Sequence, residues 1–133
     1  MQTAPVDQVR KGPIDYMMMD FLAEVTMSIL QKQKMKDRKL GYAKDLVPLF
    51  EEILPDIVQK NIKVITNGGG VNPIACREAI FAVAKKLGIK NLKIGVVLGD
   101  DILGKIDDLG SHDIALDNME TQEKLASIRS KVI

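Results

Sequence analysis

Four carboxylates follow two apolar runs that are typical of buried strands. They are Asp20, Glu24, Asp100 and Asp101. Carboxylates that share a cleft can act as general acids and bases or bind a magnesium-like ion. We therefore predict that these four residues have catalytic roles. A structural alternative stays open: Glu24 would interact with a helix dipole, and Asp100 and Asp101 would cap the next segment.

The stretch IKVITNGGG, from Ile62 to Gly70, supplies a second set of polar groups. A β-prone run ends at three glycines, and Asn72 and Pro73 then suit the first positions of a helix. Glycines let a backbone approach a ligand closely, and helix N-termini attract phosphate groups. We predict a ligand site that consists of Asn67, Gly68, Gly69, Gly70 and Asn72. In the alternative interpretation, the glycines only allow a tight turn and close packing of a helix on a strand.

Known nucleotide-binding motifs fit this loop poorly. Gly68 and Gly70 match the first two glycines of G-x-G-x-x-G, but Pro73 occupies the position of the third. Asp100 comes later than the acidic residue of that motif, and no G-K-[ST] follows the glycines. The sequence therefore excludes a P-loop and gives little support to a dinucleotide site.

Other reactive residue types are scarce in this chain. Cys76 is the sole cysteine, so an intramolecular disulfide is excluded; the thiol is either a nucleophile or, as we favour, a core residue. His112 is the sole histidine, which excludes histidine-based zinc sites and disfavours a Ser-His-Asp triad. The three methionines at 17 to 19 are expected to fill the core rather than bind a soft metal. The sequence identifies neither a metal nor a cofactor.

Hydrophobic periodicity indicates which elements position these groups. It predicts strands at 14–22, 62–66 and 92–98, each buried on both faces, and helices at 23–37, 45–61 and 73–88. Pro55 is expected to kink or divide the second of these helices. Residues 1–13 are interpreted as a loose lead-in with a short helical piece at 6–10, and residues 120–132 as a modest helix.

This alternation of strands and helices predicts an α/β fold, a three-layer Rossmann-like parallel sheet flanked by helices. The strands of a parallel sheet all point the same way, so the loops at their C-terminal ends meet at one edge. We therefore expect the predicted catalytic and ligand-binding residues to converge there.

Composition narrows the choice of partners and location. The 133 residues fit one domain, and 46% of them are hydrophobic, which is ordinary for a protein with a core. A net charge of +1 and an aromatic content of 4% argue against nucleic acid. No apolar run approaches the length of a membrane span, and the N-terminus has no secretory core. We expect a cytoplasmic protein that does not contact membranes.

Four stretches of the chain match the pattern of one protein family. They are DYMMMDFLAEVTMSIL at 15–30, LGYAKDLVPLF at 40–50, KVITNGGGVNPIAC at 63–76 and LKIGVVLGDD at 92–101. Together they resemble the N-terminal domain of the acyclic terpene utilisation family, the AtuA-like proteins. The resemblance implies a role in breakdown of acyclic terpenoids through acyl-CoA thioesters, by an enzyme or a fragment of one that binds an acyl-CoA-like ligand. The alternative is a non-catalytic binding or assembly subunit that packs its sheet edges against a partner.

The sequence also departs from the pattern of that family. A glycine-containing strand and loop normally precede the DYMMMDFLAE-like stretch, and a polar lead-in replaces them here. The chain stops at Ile133, before the alanine- and glycine-rich motifs of the family domain. We therefore expect an incomplete portion of a larger domain. Its apolar sheet edges need cover, so we expect a homo-oligomer or a part of a larger chain or complex.

Overall fold

The computed structural model describes residues 3–111 and 116–129. Within these residues, two short strands form one parallel sheet, and most other regular structure is helical. The elements in chain order are α1 (Thr3–Lys11), β1 (Tyr16–Met19), α2 (Glu24–Lys36), α3 (Leu46–Lys60), β2 (Lys63–Thr66), α4 (Pro73–Lys86), a 3-10 turn (Leu103–Lys105), α5 (Ile106–Ser111) and α6 (Leu125–Ile128). The chain divides into two compact units, Met1–Val97 and Leu98–Ile133.

The two strands of the sheet are covered on one face only. They pair in parallel, with Met17 opposite Val64 and Met18 opposite Ile65. Met17 and Met19 are each 8% exposed, whereas Tyr16 and Met18, which alternate with them, are 63% and 79% exposed. The prediction that this strand is buried on both faces is therefore wrong. Side chains of successive strand residues point to opposite faces, and apolar neighbours cover only one of these faces.

The covered face packs against three helices. The buried cluster contains apolar residues from α1, β1, α3 and α4 and Ile62 just before β2, and the partly buried Val64 of β2 packs against it. Its largest fully buried side chains are Val9, Leu46, Ile53 and Leu54. The α/β class is thus confirmed, and α1, α3 and α4 form a layer of helices on the covered face of the two strands.

Helix α1 is more ordered than the predicted loose lead-in. Val6 and Val9 lie one helical turn apart and are buried. Arg10 contacts Asp56 of α3 at 3.2 Å, and Lys60 Nζ donates hydrogen bonds to the carbonyl oxygens of Val9 and Arg10 at 2.8 and 2.7 Å. The apolar pair and these polar contacts hold α1 against α3, which local sequence patterns did not indicate.

The boundaries of the longer helices follow local sequence signals. The Asn72 side chain accepts a hydrogen bond from the Ala75 N–H, as expected for an N-cap. Gly88 has φ +72° just after α4, and Asn61 has φ +56° at the end of α3. Pro55 does not divide α3, since the residues on both sides of it are helical. None of the described helices is both long and apolar enough to cross a membrane.

The predicted third strand is not formed, and that prediction is wrong for residues 92–98. Regular secondary structure is absent from 89 to 102. Leu92 and Ile94 pack against the core, whereas Val97 is 94% exposed. Side chains from 92 to 97 thus alternate between partly buried and exposed, as in a strand, but no neighbouring strand is hydrogen-bonded to them. An apolar run forms a strand only when its backbone pairs with another strand.

The second unit has short elements and no buried residue among those described. The helix predicted over 120–132 is limited to α6, and residues 130–133 lie outside the described part. Arg129 forms an ion pair with Asp107 at 3.1 Å. This unit therefore depends on local turns and exposed polar contacts.

Candidate functional site

Asp20 and Asn67 meet where β1 and β2 end. The Asn67 side-chain N–H donates to Asp20 Oδ1 at 2.6 Å, and Asn67 Oδ1 accepts from the Phe21 N–H at 2.9 Å. The Leu22 N–H also donates to Asp20 Oδ1, at 3.2 Å. Two residues that are 47 positions apart in sequence thus link the C-terminal ends of the parallel strands, the edge where α/β proteins bind ligands.

These hydrogen bonds keep Asp20 ionised. The Asn67 amide and then the Leu22 N–H lower the pKa of the Asp20 carboxyl below its ordinary value. A carboxyl with a lowered pKa is a weak base and holds no proton near neutral pH, so it is poorly suited to be a general acid. It is well suited to accept hydrogen bonds from a ligand.

The glycines of the loop are largely required by packing. An added Cβ at Gly68 would collide with the Leu46 side chain. Gly70 has φ +54°, and a Cβ there would lie 2.8 Å from the Gly41 carbonyl oxygen. For these two residues the structure fits the packing interpretation, because their Cβ positions are already taken by the chain itself.

A second segment lies along the glycine loop. We call residues 38–43 the latch. The Ala43 N–H donates to the Gly68 carbonyl at 2.8 Å, and the Val71 N–H donates to the Gly41 carbonyl at 3.0 Å. Sequence reasoning did not assign the latch to the site, although LGYA, residues 40–43, belongs to a stretch that resembles the family.

The Asn72 side chain fixes the latch to α4. Its N–H groups donate to the carbonyl oxygens of Arg38 and Leu40, at 2.8 and 2.7 Å. Its Oδ1 accepts from the Ala75 N–H at 3.4 Å. Both ends of the Asn72 amide are thus occupied by the chain itself, so this side chain positions the loop, and its contact with a ligand stays a prediction.

Two backbone donors remain open beside the loop. Within the described residues, the N–H groups of Gly69 and Ile74 have no hydrogen-bond acceptor. Ile74 lies in the first turn of α4, where the helix dipole favours negative charge. An anionic oxygen could accept from these groups without displacing any bond of the protein.

The other predicted carboxylates are Glu24 in the first unit and Asp100 and Asp101 in the second. Glu24 is exposed at the first position of α2 and has no partner among the described side chains, which fits the interaction with the helix dipole. Asp100 and Asp101 belong to the second unit, where Asp101 Oδ1 accepts from the Leu103 N–H at 3.1 Å. Asp101 therefore binds the first N–H of the 3-10 turn from just before its N-cap, Ile102, and the expected convergence of both aspartates with Asn67 stays a prediction.

Cys76 has the properties of a core residue. It is buried, and desolvation raises the pKa of its thiol to about 11. Desolvation, followed by the charge of the nearby Cys76, also raises the pKa of Tyr42. His112 lies outside the described residues, and within those residues no three His, Cys, Asp or Glu side chains are grouped as metal ligands.

A shallow groove of about 400 Å³ lies at the C-terminal end of α4. Phe81 and Leu92 contribute apolar surface to it, and Lys85 and Lys90 lie on its lining. None of the predicted site residues lines this groove, and Asn72 is at the opposite end of the helix.

One comparison with known proteins identifies a relationship. The family model described as acyclic terpene utilisation family protein AtuA matches residues 1–133, the whole chain. No curated protein and no solved structure gives a significant match.

Proposed function

The chain belongs to the acyclic terpene utilisation family. We propose that it takes part in the use of acyclic terpenes by binding a small acyl-CoA-like ligand where β1 and β2 end. The hydrogen-bonded pair of Asp20 and Asn67 carries the proposal. It brings two strand ends together at the edge of a parallel sheet, and such edges hold the ligands of many α/β proteins. The proposed location is the cytoplasm, which the free thiol of Cys76 supports.

Each group at this edge has a distinct proposed task. The open N–H groups of Gly69 and Ile74 would donate to a phosphate or thioester oxygen, assisted by the dipole of α4. The ionised Asp20 carboxylate would accept a hydrogen bond from an amide or hydroxyl of the ligand. In an enzymatic form of the proposal, Glu24, Asp100 and Asp101 stay candidates for acid–base roles.

Calorimetric titration with 3,7-dimethyloct-6-enoyl-CoA, a branched ten-carbon thioester, tests the proposal. We expect Asn67→Ala to weaken binding about tenfold, since it removes the group that joins the two strand ends. Asp15→Asn is the matched control, because Asp15 is an exposed carboxylate at the opposite end of β1. Equal affinities for the wild type and Asn67→Ala, or no binding by the wild type, would contradict the proposal.

A second candidate function, that of an assembly subunit, is favoured by the uncovered side of the sheet. Tyr16, Met18 and Ile65 are 63%, 79% and 58% exposed on that face. The outer edges of β1 and β2 also have no strand neighbour among the described residues. We propose that a second copy of the chain covers this apolar surface.

Light scattering during size-exclusion chromatography tests the assembly candidate. If the open face mediates assembly, the wild type elutes as an oligomer, and Met18→Lys shifts it to a monomer without loss of helical circular dichroism. The control Met35→Lys replaces another exposed methionine, which lies on α2 outside the sheet. A monomeric wild type would exclude the assembly role for this face.

The finer fold prediction, a three-layer Rossmann-like arrangement with helices on both sides of a parallel sheet, is also a proposal. Helices α3 and α4 both contribute to the cluster on the covered face. Successive right-handed crossovers on one face add strands in one direction, which places a third strand beyond β2. Residues 92–98 are unpaired in the single chain, and we propose that they pair with β2 once the open face is covered. Slow amide exchange of Val96 and Val97 in the assembled protein would support this pairing. Unprotected amides would exclude it.

A further inference from the structure

Positive charge is concentrated in one stretch of the chain. Residues 32–44, here called the basic segment, contain six basic residues and one acidic residue, Asp37, for a net charge of +5. The whole chain has a net charge of only +1, so the remaining residues are acidic on balance. The near-neutral total conceals this asymmetry.

The cations of the basic segment are not neutralised by the described part of the protein. Ion pairs in that part involve Arg10, Lys11, Arg77, Lys86 and Arg129. Lys34 is used internally, since its Nζ donates to the Val71 carbonyl at 2.8 Å. The other five cations are exposed and have no anionic partner among the described side chains: Lys32, Lys36, Arg38, Lys39 and Lys44.

The basic segment is held beside the glycine loop by several bonds. It includes the latch, which is bonded to Gly68, Val71 and Asn72. Asp37, its only acid, accepts from the Lys39 N–H at 2.9 Å and so shapes the turn before the latch. Since this backbone is already ordered, binding of an anion would need to order only the Lys and Arg side chains.

We infer that the basic segment binds the phosphate groups of the ligand, with Lys36, Arg38 and Lys39 as the principal contacts. This inference rests on the proposed function and specifies its ligand class as thioesters of a polyphosphorylated carrier such as CoA. Clustered Lys and Arg side chains are the usual protein partners of phosphate oxygens. The position of the segment beside the glycine loop would leave the acyl end to the open N–H groups and Asp20.

Titration with CoA alone, without an acyl group, isolates this contribution. We expect Lys36→Ala/Arg38→Ala/Lys39→Ala to weaken CoA binding about tenfold, and we expect the wild-type affinity to fall as salt rises from 50 to 500 mM. The control is Lys85→Ala/Lys90→Ala/Lys93→Ala, which removes three exposed lysines outside the basic segment. We expect it to change the affinity less than twofold. The single variant Lys39→Glu should weaken binding in the same direction if the triple variant does not fold.

The outcomes separate this inference from the proposed function. Equal CoA affinities of the basic-segment variant and the wild type, or equal losses in both triple variants, would overturn the inference. So would binding to anionic phospholipid vesicles or an RNA oligomer with no binding to CoA. If the acyl thioester binds and Asn67→Ala weakens it while the basic-segment variant does not, the proposed site stands and this inference fails. If only the basic-segment variant weakens binding, the inference stands and the Asp20–Asn67 site is wrong.

Discussion

The two faces of the same small sheet differ in what surrounds them. On one face, Met17 and Met19 are buried beneath α1, α3 and α4. On the other face, Met18 and Ile65 have chemically similar side chains that are mostly exposed. Neighbouring methionines of one strand are therefore buried or exposed according to whether helices pack on their face of the sheet. Stability is expected to come from the covered face, and association or recognition from the open face and the strand ends.

Core truncation is expected to show the largest difference between the faces. Ile53 is fully buried under the covered face, and Ile53→Ala should lower the free energy of unfolding by about 2–5 kcal/mol through lost burial and a cavity. Ile65→Ala, on the open face, should lower it by less than about 1 kcal/mol. Urea denaturation followed by circular dichroism measures both. Similar losses would mean that the open face is covered in solution.

The alkylation rate of the Cys76 thiol is an independent test of burial in the core on the covered face. Raising the thiol pKa from 9.0 to about 11 lowers the thiolate population at pH 8 roughly a hundredfold. Iodoacetamide should therefore modify the folded protein at least a hundred times more slowly than the urea-unfolded protein. Rapid alkylation of the native chain would indicate a reactive thiol and revive the nucleophile interpretation.

A comparison of two glycines with positive φ distinguishes the free-energy cost of steric overlap from that of a strained backbone. Gly70 and Gly88 have φ of +54° and +72°, but only Gly70 has protein atoms where a Cβ would lie. Gly88→Ala should cost about 1–2 kcal/mol from the left-handed backbone alone. Gly70→Ala should cost about 1 kcal/mol more, because the latch must move. Equal melting temperatures for the two variants would show that the latch is not packed on the loop.

The smallest expected effect is the pH dependence that Asp20 contributes at the strand ends. Its folded pKa is lowered from 3.8, so its stabilising contribution is present above the unfolded pKa and is lost as pH falls through the folded value. The stability advantage of the wild type over Asp20→Asn should therefore shrink below about pH 4. A constant difference from pH 7 to pH 3 would mean that the bond to Asn67 does not hold the carboxylate.

Sequence reasoning succeeded where the cause is local or follows from parallel topology. Asn72, Pro73 and Gly88 mark the ends of α4 because capping depends on a few adjacent residues. The meeting of Asp20 with Asn67 follows from the common direction of parallel strands. Neither inference needs knowledge of distant packing.

Sequence reasoning failed where the environment of a residue depends on residues that are distant in sequence. The packing constraint at Gly68 comes from the Leu46 side chain, which no local pattern connects to the loop. Burial of Met18 depends on what covers the second face, and whether residues 92–98 form a strand depends on pairing with β2, which lies about 30 positions earlier in the sequence. The helical piece predicted at 6–10 is confirmed, but α1 extends over Thr3–Lys11, and its packing on the core through Val6 and Val9 was not predicted.

The most direct test of the proposed site is a pair of amide ¹H–¹⁵N spectra, recorded with and without 3,7-dimethyloct-6-enoyl-CoA. We expect large shift changes for the amides of Phe21, Gly69 and Ile74 and for the Asn67 side chain, with little change for Phe81 and Lys90 at the groove. Changes confined to the groove or to the second unit, or no changes at all, would contradict a ligand site at the strand ends.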